Sequence, residues 1–198
     1  MKKFGIYIHF PYCLSKCPYC DFASTACRHF DEQILQIGYL RDLQTAPKYP
    51  VSSVFFGGGT PSMMSVNLVD MLLRTIAKDF TLQQDTEITM EANPDAIDIQ
   101  KMRDFKACGV NRLSLGVQAL NDLDLKFLGR LHSQQTACQR IDEMKSVFDN
   151  CSIDLIYARP HQTLSEWEKE LKQALNFDLP HMSLYELTIE EGTPFSRK

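Results

Sequence analysis

The segment Gly5-Ile-Tyr-Ile-His-Phe10-Pro-Tyr-Cys13-Leu-Ser-Lys-Cys17-Pro-Tyr-Cys20 runs a short apolar stretch directly into three cysteines. Gly5–Phe10 is rich in β-branched and aromatic residues and is bounded by Pro11, which predicts a strand. The basic start, Met1-Lys2-Lys3, precedes an apolar stretch too short for a signal peptide, so the stretch reads as a buried strand. The thiols therefore follow a strand's carboxyl end. That is where parallel α/β folds, open or closed, hold their ligands.

The same unit recurs along the chain. Further strands are predicted at Ser53–Phe56, Glu87–Glu91, Arg112–Val117, Ile153–Ala158 and His181–Leu187. Most are near-continuous apolar runs, the pattern of strands covered on both faces. Between them, apolar residues recur at three- and four-residue spacing. Ile34 to Leu43, Leu68 to Ile76, and Ile99 to Cys108 with Gly109 as its stop predict helices. Asp122–Leu128, Gln135–Phe148 and Ser165–Phe177 complete the set. Six strands alternating with helices predict an α/β fold with a mostly parallel sheet. An open doubly wound sheet and part of a barrel both satisfy the pattern. No linker or low-complexity stretch interrupts it, so residues 1–198 are expected to form one domain.

Composition narrows the function classes. The chain of 198 residues is 44% hydrophobic and 23% charged, which excludes disordered and fibrous classes. A net charge of −4 gives no general pull toward nucleic acid or anionic membrane. No apolar run is long enough for a membrane-spanning helix. Seven cysteines are an odd number that suits a secreted disulfide framework poorly. A reducing, cytoplasmic location is expected, where clustered thiols are more often metal ligands or redox groups.

Cys13, Cys17 and Cys20 can converge on one metal centre, and soft thiolates select zinc or iron–sulfur clusters. Structural zinc needs a fourth ligand, for which Cys27, His29 or a distant group would have to serve. Three thiolates fit a [4Fe–4S] cluster with one iron left free. Incidental loop cysteines are the bland alternative. Cys27 is expected to be a free thiol.

Other polar groups also fall at strand ends. Gly57-Gly58-Gly59-Thr60-Pro61 allows close backbone approach to a ligand, although three glycines can also serve a simple turn. Glu91 is an acid in an apolar strand, which is unfavourable to bury without a partner. Gln118 could merely cap a turn. Arg130 would ordinarily be a solvated charge, although its fork suits a carboxylate. Asp154 could accept from a ribose, and Tyr7 reads as core packing.

The spacing Cys13-x3-Cys17-x2-Cys20, with Tyr19 before the last cysteine, resembles the signature of radical S-adenosylmethionine (SAM) enzymes. The string Tyr7-Ile-His-Phe-Pro-Tyr-Cys13 is similar to the branch that holds oxygen-independent coproporphyrinogen III oxidases and HemW-type heme chaperones. The resemblance covers essentially the whole chain. It implies a partial (β/α)6 barrel with helices outside, a [4Fe–4S] cluster on Cys13, Cys17 and Cys20, and SAM on the fourth iron. It assigns Tyr7, Tyr19, Gly58, Gly59, Thr60, Glu91, Gln118, Arg130 and Asp154 to the cofactor site. In such proteins, electron transfer cleaves the sulfonium to a 5′-deoxyadenosyl radical.

Phe22 stands where the oxidase branch has a further cysteine, so the resemblance is nearer to the HemW type. That implies heme or porphyrin as a ligand and a heme-accepting protein as partner. Two departures stand out. Ala158-Arg159-Pro160-His161-Gln162-Thr163 replaces a family string Gly-Leu-Pro-Gly-Gln-Thr, and replacing the glycines is expected to reshape that loop. Family members also continue well beyond the Gly192-Thr-Pro-Phe195 segment, so the family's C-terminal domain is expected to be absent. Three functions follow: a heme-handling protein, an active radical enzyme of porphyrin biosynthesis, or an inactive truncated barrel. His9, His29, His132, His161 and His181 are conceivable heme ligands, with His9 the first to test.

Overall fold

A computed structural model describes residues 4–197; the basic start at residues 1–3 lies outside them. In chain order the elements are strand β1 (Phe4–Phe10), the two-residue strands β2 (Tyr12–Cys13) and β3 (Thr25–Ala26), and helix α1 (Glu32–Thr45). Then come β4 (Val51–Gly58), α2 (Val66–Asp79), β5 (Leu82–Ala92), α3 (Ile99–Cys108) and β6 (Arg112–Gln118). Helices α4 (Asp122–Phe127) and α5 (Gln134–Val147), strand β7 (Asn150–Tyr157), helix α6 (Leu164–Leu175) and strand β8 (His181–Glu186) complete the fold. Asp31, Ser65, Asp98, Asn121, Ser133 and Thr163 each accept a backbone N–H at the start of a helix, which explains where the helices begin.

The main sheet has the order β1-β4-β5-β6-β7-β8, and every pair in it is parallel. Spatial order thus follows chain order. With right-handed crossovers, an order that never reverses puts every helix on one face, whereas a doubly wound sheet needs a reversal. The fold is a partial (β/α)6 barrel, open between β1 and β8.

The core lies between the strands' outer face and the helices. Ile8, Phe10, Val54, Phe56, Met90, Leu113, Leu115, Ile153 and Leu155 fill it from the sheet side. Only this face has the predicted apolar character. On the concave face Arg112 donates to Ser152 Oγ at 2.9 Å, and Ser114 shares hydrogen bonds with Ser152 and Asp154. The strands are covered by helices on one side and carry a polar lining on the other.

Candidate functional site

The cluster of cysteines occupies the loop between β1 and α1, and short parallel pairing folds this loop back on itself. Tyr12 pairs with Thr25 and Cys13 with Ala26. Lys16 staples the same loop from inside, its Nζ donating to the carbonyls of Phe22 at 2.8 Å and Ser24 at 2.9 Å. Cys13, Cys17 and Cys20 are all half-buried, and all seven cysteines are free thiols. Burial pushes the Cys20 thiol up. Among the described residues, no three His, Cys, Asp or Glu side chains are grouped so as to hold one metal ion. A four-iron cluster, with each thiolate on its own iron, does not require that convergence.

The second strand end meets the loop through glycine. Gly59 N donates to Phe10 O at 2.6 Å and Thr60 N to Tyr12 O at 2.8 Å. A Cβ at Gly59 would lie 2.4 Å from the Tyr12 carbonyl, so only glycine permits this approach. Thr60 is buried and accepts from Asn93 Nδ2 at 3.0 Å.

Arg130 follows α4 and turns inward, against the ordinary expectation for a loop arginine. Its Nη2 donates to Asn93 Oδ1 at 2.6 Å and to Gly116 O at 2.8 Å, while Nη1 lies 3.5 Å from Cys17 Sγ. Its Nε is buried without a partner. Tyr19 lies beside this pair, where burial raises its phenol strongly and Arg130 offsets only part of the shift.

Two carboxylates face the same space. Burial, then the nearby Asp154 charge, raises Glu91 to about 7, opposed by the Gly58 backbone N–H and Arg112. Burial also raises Asp154, opposed by hydrogen bonds from Ser183 and Ser114. A cation or a hydrogen-bond donor placed against either carboxyl would favour its charged form.

These groups enclose one cavity of about 270 Å³. Its lining includes Cys13, Cys17, Cys20, Tyr19, Gly58 and Gly59. Thr60, Glu91, Gln118, Arg130 and Asp154 line it too, so all the expected site residues but one converge. Tyr7 stays outside the lining. It lies on β1, 57% exposed, with its ring stacked on Phe55 at 6.0 Å, although its phenol feels Glu91. His9 has neither ring nitrogen free as a heme ligand: Nε2 is 2.8 Å from Ala23 O, and Nδ1 is 3.5 Å from the Tyr7 hydroxyl. Asn93 and Lys16 escaped the sequence reading. Asn93 stood two residues from Glu91 at a strand end, a signal that could have found it.

Thiols, a glycine-lined wall, an inward arginine and two raised carboxylates thus meet at the strand ends of a partial α/β barrel. The chain belongs to the radical SAM superfamily, whose family profile it matches over residues 7–174. Among its relatives, the heme chaperone HemW of Escherichia coli strain K12 is 39% identical over 207 residues, spanning 100% of this chain and 54% of that protein. The mitochondrial radical S-adenosyl methionine domain-containing protein 1 of Danio rerio is 38% identical, spanning 96% of this chain and 44% of its own length. The solved coproporphyrinogen III oxidase (HemN) of Escherichia coli, a radical SAM enzyme, superposes with a TM-score of 0.79 at 26% identity, over 93% of this chain and 44% of that one. The chain thus spans about half the length of the relatives it matches. No helix among the described residues is long and apolar enough to cross a membrane.

Proposed function

We propose that this chain binds a [4Fe–4S] cluster through Cys13, Cys17 and Cys20 and SAM in the adjoining cavity, and acts in heme handling as HemW-type proteins do. The observation that carries the reading is the convergence of the three thiols, Arg130 and the two raised carboxylates on one cavity. The donor set fits the pair of cofactors. Arg130 has an unpartnered buried N–H for the amino-acid carboxylate, and Glu91 offers its carboxylate to the amino group. Backbone at Gly58 and Gly59 makes room for the same group, and Asp154 accepts from ribose hydroxyls. Gln118 and Tyr19 line the same cavity, with Tyr19 against Arg130. Tyr7 would act from outside the lining, through Glu91. The chemistry such a pair supplies is one-electron cleavage of a sulfonium. Seven unpaired thiols suit a reducing compartment such as the cytoplasm.

Anaerobic reconstitution with iron and sulfide should give a brown protein that binds SAM and then heme. Serine at any of Cys13, Cys17 or Cys20 should abolish the colour. A colourless protein carrying only zinc would refute the reading. The likeness to coproporphyrinogen III oxidase supports a second reading, an active porphyrin-modifying enzyme. Phe22, with no thiol to offer at the rim, favours the first. Release of 5′-deoxyadenosine with porphyrinogen decarboxylation under reduction would decide for the second.

A further inference from the structure

Arg159 lies in the loop between β7 and α6, where an arginine ordinarily extends into water, yet its side chain is 2% exposed. Nη2 pairs with the Glu170 carboxylate on α6 and lies 3.0 Å from Asp124 Oδ2 on α4. Nη1 donates to Ile156 O at 2.9 Å and to Gln118 O at 3.4 Å. Glu170 is held in turn, its other oxygen accepting from Leu120 N at 2.7 Å. One guanidinium thus ties the exits of β6 and β7 to two helices. It does not line the cavity, but it holds the backbone of Ile156 and Gln118, which do.

The backbone around it is strained. Ala158 has φ +57°, His161 φ +65° and Gln118 φ +70°, all in the left-handed region that favours glycine. Non-glycine residues stay there only where their surroundings over-determine them. The string that this loop resembles has glycine at positions 158 and 161 and leucine at 159. Here the glycines are gone, and a buried fork of donors stands in place of the leucine.

We infer that Arg159 is a positioning residue for the cofactor cavity, its guanidinium fixing the Gln118 and Ile156 backbone in a loop whose left-handed positions lack glycine. The inference rests on SAM occupying this cavity. Lysine keeps the charge but not the fork, so it cannot serve two carbonyls and two carboxylates together.

The test is hydrogen exchange on the full chain without ligand, followed by SAM titration of the cluster-loaded protein. Arg159→Lys should raise exchange in residues 116–121 and 156–162 roughly tenfold, the loss of one hydrogen bond to a charged group, while residues 51–58 keep the parent rate. SAM affinity should fall by a similar factor with the cluster's visible absorption unchanged. Arg159→Leu should do the same or worse, and adding Ala158→Gly with His161→Gly should restore affinity to near the parent value. Unchanged exchange at 116–121 in both single variants would overturn the inference, as would a rise spread evenly over all strands. If the parent chain carries its cluster but binds no SAM, the preceding functional reading fails, and the exchange data still decide whether Arg159 holds this wall.

Discussion

Glu91 sits where burial and the Asp154 charge both disfavour its carboxylate, and its pKa of about 7 against an ordinary 4.5 has consequences of opposite sign for stability and binding. Between those values the folded chain holds more protons than the unfolded one, so stability without ligand falls as pH rises through that window and levels above it. Asp154, also raised, adds to the same slope, while Arg112 opposes both. A bound amino group reverses the preference, because an N–H donated to Glu91 favours the charged form. SAM affinity should therefore increase from pH 6 to 8 while the unliganded melting temperature declines. Glu91→Gln should flatten much of both trends, raise the unliganded melting temperature at pH 8, and weaken SAM roughly 10- to 100-fold, the range for a hydrogen bond to a charged group. Calorimetric titrations and melts across that pH range check this, and a pH-independent affinity in the parent chain would remove Glu91 from the amino-group role.

Helix α3 shows how fully an element's limits can be written in the chain. Asp98 caps its start, and Gly109 at φ +113° ends it, as the sequence predicted. A Cβ at Gly109 would meet nothing nearer than Leu73 Cδ1 at 3.9 Å, so Gly109→Ala carries only a conformational penalty. That should be about 1–2 kcal/mol, or about 2–8 °C in melting temperature for a chain of this size, measured by thermal unfolding. Periodicity and punctuation placed six strands and six helices because most of those elements have a buried face to mark them. The exceptions are α1 and β8: Ile34 and Ile37 are exposed, Leu43 is the buried residue of α1, and no residue of β8 is buried. The same signals missed β2 and β3, since a pair of two-residue strands has no period. They began β5 at Glu87 rather than Leu82, because exposed Gln83, Gln84 and Asp85 hide the strand's approach. The predicted residues that line the cavity were legible because they stand in or beside recognisable strings, most of them at or just beyond strand ends. Arg159 was not, since a charged loop residue reads as solvated until its partners on α4 and α6 are brought to it. Tyr7 was assigned with its string, but its place on β1 sets it below the cavity that its neighbours line.

On the scale of the molecule, the cavity depends on every strand of the main sheet. Its walls come from the loop after β1, from the ends of β4, β5, β6 and β7, and from Tyr185 and Glu186 of β8. Because spatial order follows chain order, no strand can leave the sheet without opening either the cavity or its rim. Binding there should therefore stabilise the whole chain rather than one loop. SAM at 100 times its Kd stabilises a folded state by about 2.7 kcal/mol, which is about 5–10 °C for a protein of this length. That shift is expected in the cluster-loaded chain. On the proposed reading it should vanish when Cys13, Cys17 and Cys20 are all replaced by serine, because the remaining contacts would lose the iron proposed to hold the amino-acid end. The melting temperature without SAM should change little in that variant relative to the cluster-free parent chain, since the three thiols lie in a loop and none belongs to the buried core. Differential scanning fluorimetry of both proteins with and without SAM makes the comparison. A shift of the same size in the serine variant would mean that the cavity holds SAM without the thiols, and would separate the two halves of the site.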